Sequence, residues 1–252
     1  MNALARCLIA LLVVCAVAVS CGKDRKANPD DPKTAADYVA RANNNFLEKD
    51  RALKDLDKAI ELDEDYAEAY VRRAEIYEAR YTDSHRSKDA DRAIADYDAL
   101  IKIEPKAPEA AERLCKRAWL KIQIESYDEA ITDLEAARAK KKNDAKTYEY
   151  LAHAYIGKDE LPEAIKYYGY AIRYDPNNAS LYKDRARVHY SMGEKEKAIP
   201  DLKKVTSMQP DIEAFHALGQ ILQELGRNLE AFDIYEKARK LDPSIEEGSV
   251  VW

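Results

Sequence analysis

Glycine is scarce, with 7 residues in 252, and phenylalanine scarcer still, with 3. So few glycines in a chain that is 35% charged and rich in Ala, Leu, Glu and Lys point to helices. A glycine-rich phosphate loop is absent, and so is a GxSxG nucleophile elbow. Cysteine is nearly confined to the start: Cys7, Cys15 and Cys21 lie in the first 21 residues, and only Cys115 follows. That excludes a disulfide framework. Cys115 reads as a small helix residue, since no base can be placed beside it. The four histidines (His85, His153, His189, His216) form no HxxxH or HExxH pair, and no CxxC occurs. Metal-ligand spacing is therefore missing. No long basic block interrupts the mixed charges, whose formal net is −6, which argues against nucleic acid as the main partner. With no visible site, the expectation is a non-enzymatic protein without cofactor or metal.

The one long apolar run is Cys7–Val19, preceded by Arg6. At 13 residues it is short for a membrane span, which needs ~20, and has the layout of a secretory signal peptide over residues 1–20. Ala18-Val19-Ser20-Cys21 resembles a bacterial lipobox, with Ala18 where Leu is usual. The resemblance implies lipidation of Cys21, which becomes the new N-terminus. An ordinary cleaved signal and an uncleaved anchor are the alternatives. Gly22, rather than Asp, follows Cys21, so the resemblance also implies outer-membrane sorting, facing the periplasm. Residues 21–32, polar with two prolines, read as a tether from the lipidated Cys.

From residue 33 the chain repeats itself. Units fall at 33–66, 67–107, 111–144, 145–178, 179–211 and 212–245, with a tail at 246–252. Position 8 holds Ala40, Ala74, Ala118, Ala152, Ala186 and Gly219; position 20 holds Ala52, Ala93, Ala130, Ala164, Ala198 and Ala231. Position 24 alternates Leu56, Tyr97, Leu134, Tyr168, Leu202 and Tyr235. Amphipathicity alone has a 3.6-residue period and cannot produce this one. Prolines 105, 176, 210 and 243 separate units, and Pro162 falls at a helix start, where its missing N–H costs nothing.

These residues resemble the tetratricopeptide repeat over nearly all of 33–245. The resemblance implies an all-α, right-handed α-solenoid of about six helical hairpins, each burying its apolar face on its neighbours. Two departures stand out. About seven extra residues around Thr82–Asp91 read as a solvated loop or an extended hairpin, with a contact loop as the other reading. No seventh helix follows residue 245, so Val250–Trp252 are expected to fold back on the last helix or dock on a partner.

In this family, positions 2, 5, 9, 12 and 13 of each first helix line a concave, partner-binding face. Carried over residue by residue, this places Arg41, Trp119, His153, Lys183, Arg187, Tyr190, His216 and Gln220 in a candidate groove for peptide or helix segments of proteins. Trp119, Ile122, Ile156 and Tyr190 are equally readable as packing against neighbouring helices. The carboxylate clamp of some members needs Lys and Asn at positions 5 and 9 of the first unit; Asp37 and Arg41 stand there. Repeat count and length resemble the pilotins of type IV pili, outer-membrane lipoproteins that help a secretin ring assemble. The alternative is a periplasmic adaptor for cell-wall enzymes or proteases.

Overall fold

The structure, a computed structural model, describes residues 28, 30–45 and 48–241. The expected signal peptide, Cys21, Pro243 and the Val250–Trp252 tail lie outside the described residues. Among those residues the regular structure is twelve α-helices and no strand. They are α1 (Ala35–Asn44), α2 (Lys49–Leu62), α3 (Ala67–Ser84), α4 (Ser87–Ile103), α5 (Ala110–Gln123) and α6 (Tyr127–Lys140). Then come α7 (Ala145–Gly157), α8 (Leu161–Tyr174), α9 (Ala179–Ser191), α10 (Lys195–Met208), α11 (Ile212–Glu224) and α12 (Asn228–Leu241). No described helix is long and apolar enough to cross a membrane. The chain divides into two compact units, Met1–Arg80 and Tyr81–Trp252.

In the first unit, α1 begins with a capping box. Thr34 Oγ1 accepts from the Asp37 amide at 3.2 Å, and Asp37 Oδ2 accepts from the Thr34 amide at 2.9 Å. Amides of Asn28 and Lys33 also donate to Asp37, which holds its carboxyl far below the usual carboxylate range. Asp37 is buried, as is Val39. Small residues let α1 and α2 approach, but the buried one on α1 is Ala42 rather than Ala40, which stays half-exposed. The first helix is thus read two residues too early by the sequence period, because its buried Ala42 and Ala52 stand ten residues apart where the equivalent pairs of later hairpins, such as Ala118 and Ala130, stand twelve apart. Arg41 then points at α2 and forks Asp55, with N–O distances of 2.9 and 2.6 Å. This corrects its expected place on the partner-binding face.

In the second unit each hairpin follows one plan. Ala118, Ala130, Ala152, Ala164, Ala186 and Ala198 are all fully buried, so the paired backbones come close. Leu134, Tyr168, Leu181, Leu202, Leu218 and Ile221 fill the space between layers. Each such side chain contributes about 1.5–3 kcal/mol of burial. Tyr148 and Tyr168 are buried as framework residues, and Tyr155 stacks on Tyr167 at 5.2 Å.

Helix ends in this unit are equally regular. The links between paired helices contain one residue with left-handed backbone at the same repeat position: Glu125 (φ 63°), Asp159 (φ 60°), Gly193 (φ 75°) and Gly226 (φ 73°). Each link makes the two bonds of a Schellman motif, such as the Glu194 amide to the His189 carbonyl at 2.9 Å and the Gly193 amide to the Tyr190 carbonyl at 2.9 Å. Pro162 lies in the first turn of α8, where no helix bond is lost.

The extra residues near Thr82–Asp91 do not form a long loop. They lengthen α3 to 18 residues and α4 to 17, with His85 and Arg86 as the link. On the last helix, Leu229 and Phe232 remain exposed, at 86% and 55%.

Candidate interaction surface of the second unit

The first helices of the four hairpins in this unit, α5, α7, α9 and α11, carry the residues predicted for partner binding. Trp119, on α5, is half-buried and meets Tyr81 edge-on at 6.2 Å. Ile122 packs against the core, whereas Ile156 on α7 is exposed. His153 sits between two rings, Tyr150 at 6.3 Å and Tyr168 at 5.9 Å.

The next candidates are tied to one another across repeats. Lys183 Nζ reaches Glu213 at 2.7 Å and Asp211 at 3.2 Å. Arg187 pairs with Asp184 at 3.1 Å and with Glu213 at 3.3 Å. The Tyr190 hydroxyl donates to Glu224 at 3.0 Å and accepts from Gln220 Nε2 at 3.3 Å. Lys195 closes this set on Glu224 at 3.0 Å. Four of the predicted residues therefore form one polar layer between α9 and α11. Such partly exposed pairs are individually weak, about 0–1 kcal/mol each, so a partner can exchange them at small cost.

His216 does not belong to this surface. It is only 3% exposed, faces the Tyr235 ring at 5.7 Å, and its Nε2 has no hydrogen-bond partner. Burial pushes its pKa down, so the ring is held neutral. This corrects its reading as a groove residue: in the last hairpin the residue at position 5 turns into the core, where a neutral imidazole packs like an aromatic.

Between the starts of α5 and α7 lies a cleft of about 460 Å³, lined by Glu112, Cys115, Lys116, Lys141, Lys146 and Tyr150 among others. Cys115 Sγ lies 3.1 Å from Thr147 Oγ1, and burial raises its pKa, so it is a packed thiol rather than a nucleophile.

Sequence spacing missed one grouping. Glu149 and His153 stand one helical turn apart on α7, and Asp184 approaches from α9. Ligand atoms of all three lie within 4.8 Å of one another. A motif search within one helix does not register this, because Asp184 arrives from the following repeat. Burial raises the Glu149 pKa, and the nearby Asp184 charge adds to it.

Family profiles described as tetratricopeptide repeat match residues 39–110 and 115–179, and others match 151–223 and 212–245. The chain belongs to the tetratricopeptide repeat family. Among curated proteins it is similar to the Hsp70-Hsp90 organizing protein of Triticum aestivum, 25% identical over 237 residues. That match covers 81% of this chain but only 40% of the wheat protein. Among solved structures it is similar to a crystal structure of MamA, with TM-score 0.55 and 29% identity over 61% of this chain and 88% of that one. It also shares its fold with PilW, a widely conserved type IV pilus biogenesis factor, with TM-score 0.63 and 18% identity over 84% of this chain and 96% of that one. As in other tetratricopeptide repeat chains, small residues at fixed repeat positions set the helix spacing here. With the first helix in its true register, positions 5 and 9 hold buried Val39 and exposed Asn43, so the Lys of a carboxylate clamp is still absent.

Proposed function

We propose that this chain is a non-enzymatic protein-interaction scaffold held at a bacterial membrane by lipid on Cys21, and that the first-helix face of its second unit takes up protein segments. The observation that carries the reading is the composition of that face. Trp119, His153 and Ile156 offer apolar and aromatic anchors, flanked by Lys183, Arg187, Tyr190 and Gln220 in exchangeable polar pairs. Aromatic and arginine anchors ringed by polar groups are the usual make-up of a binding hot spot. A partner's acidic group can replace Glu213 on Lys183 and Arg187. The basic pair and the missing clamp lysine favour an internal acidic-apolar segment over a free C-terminal carboxylate.

The periplasmic face of an outer membrane is the proposed location, and assembly of an envelope complex such as a type IV pilus secretin the proposed role. The repeat plan shared with PilW supports this role. An adaptor for cell-wall enzymes or proteases uses the same face, and partner identity separates the two. A Trp119→Ala/Arg187→Glu double variant should lose captured partners at unchanged helical content. Retention of those partners would move the binding surface elsewhere. Labelling with a palmitate analogue should mark the wild type and not Cys21→Ala; equal labelling removes the lipid anchor. Loss of secretin multimers on deletion supports the pilus role, and normal multimers end it.

A further inference from the structure

We propose that Glu149, His153 and Asp184 form a binding site for a divalent transition-metal ion that bridges the fourth and fifth repeats. Three features of the site converge on this. First, the donor set is two carboxylates and one imidazole, which suits Zn²⁺, Co²⁺ or Ni²⁺ rather than an all-oxygen ion. Second, the donors come from two packed helices, with Glu149 and His153 on one face of α7 and Asp184 on α9. Third, two of the three side chains have their ligand atoms free of hydrogen bonds. Among the described residues neither the Glu149 nor the His153 side chain makes a hydrogen bond, and Asp184 uses Oδ1 to accept from Arg187 at 3.1 Å.

Charge points the same way. Two carboxylates approach each other in a half-buried position beside a single imidazole. Arg187 offsets one of them, and Lys146, over the Tyr150 ring at 5.4 Å, offsets part of the other. A cation between the three groups removes the repulsion. An ion with bonds of ~2.0–2.2 Å needs its donors ~3.4 Å apart, so the three side chains close by roughly an ångström, within reach of side-chain rotation. Water or a partner's side chain completes the coordination. Tyr150 and Tyr168 flank the imidazole and limit its swing. The ion would lock α7 to α9 on the face that carries Trp119 and Lys183, stabilising the folded stack by linkage.

The probe is Co²⁺, titrated into the full chain and followed by its visible absorption, with Zn²⁺ competition and thermal melting alongside. The expected result is one equivalent bound, with ligand-field bands and no thiolate charge-transfer band. Melting temperature should rise in the wild type. Affinity should fall at least tenfold in His153→Ala, Glu149→Gln and Asp184→Asn, and the ion should no longer raise their melting temperature. The Gln and Asn variants keep side-chain volume, so helical content and melting without the ion check that the fold is intact. Absence of binding at millimolar Co²⁺ overturns the proposal. So does binding that survives all three substitutions, or a thiolate band that assigns the ion to a cysteine.

Discussion

Arg185 and Asp201 face each other across the α9–α10 hairpin, with Nε to Oδ2 at 2.8 Å and the guanidinium terminus to Oδ1 at 2.7 Å. The same fork joins Arg41 to Asp55 in the first hairpin and Arg117 to Asp133 in the third. In each case the carboxylate is nearly buried on the second helix, and the arginine comes from the first. The planar fork fixes the angle at which the two helices meet.

Asp201→Ala should therefore destabilise the protein by about 2 kcal/mol, since it strips a charge-assisted double hydrogen bond from a half-buried guanidinium. Arg185→Leu with Asp201→Leu should recover much of that loss, because apolar groups leave no unpaired charge. Urea unfolding followed by far-UV circular dichroism measures both. A double-variant loss equal to the sum of the losses of Arg185→Leu and Asp201→Leu alone would show that the pair does not act as a unit.

The left-handed links make a paired prediction. Glu125 and Asp159 occupy positive-φ positions that Gly193 and Gly226 occupy in the next two hairpins. A side chain there costs about 1 kcal/mol. Glu125→Gly should stabilise by up to about 1 kcal/mol, and Gly193→Ala should destabilise by a similar amount. Opposite signs in thermal melting confirm the backbone argument; changes of the same sign refute it.

Acid should weaken the first unit through Asp37. Its folded pKa lies below the unfolded value, because the backbone amides of Asn28 and Lys33 donate to the carboxylate. The stabilisation is complete above the unfolded value of about 4 and is lost as pH falls from there through the lower folded value. Asp37→Asn should be less stable than wild type at pH 7. The gap should narrow as pH drops below about 4, measured by hydrogen exchange in α1. A constant gap would show that ionisation of Asp37 is irrelevant.

The polar layer between α9 and α11 should matter little for folding. Lys183→Ala removes the pairs with Glu213 and Asp211, both partly exposed, and should cost less than about 1 kcal/mol. Leu229→Ser and Phe232→Ser should each fall within about 0.5 kcal/mol of wild type, because neither side chain is covered in the described structure. Chemical denaturation reads all three. A loss beyond 2 kcal/mol at Phe232 would mean that something buries it.

Much of the fold was legible because it is periodic. Ala118, Ala152 and Ala186 recur at one position, and Tyr168 and Tyr235 at another, since each repeat solves the same local packing problem. The register of α1 was not, because the buried alanines of its hairpin stand two residues closer in sequence than in later hairpins, which moves Ala42 into the place that the period assigns to Ala40. On the candidate surface, sequence position named Trp119, His153, Lys183, Arg187, Tyr190 and Gln220 but not their engagements. It placed His216 and Arg41 outward, where the structure turns one into the core and the other onto Asp55.

The sequence by itself determined the helical hairpin, its period and the small residues that set helix spacing. These are short-range properties, fixed by residues within one repeat. Only the tertiary structure decided which charges meet across repeats. Lys183 finds Glu213, and Asp184 comes to His153, because stacking superposes residues about thirty positions apart in the chain, a separation at which local pattern carries no information about side-chain direction.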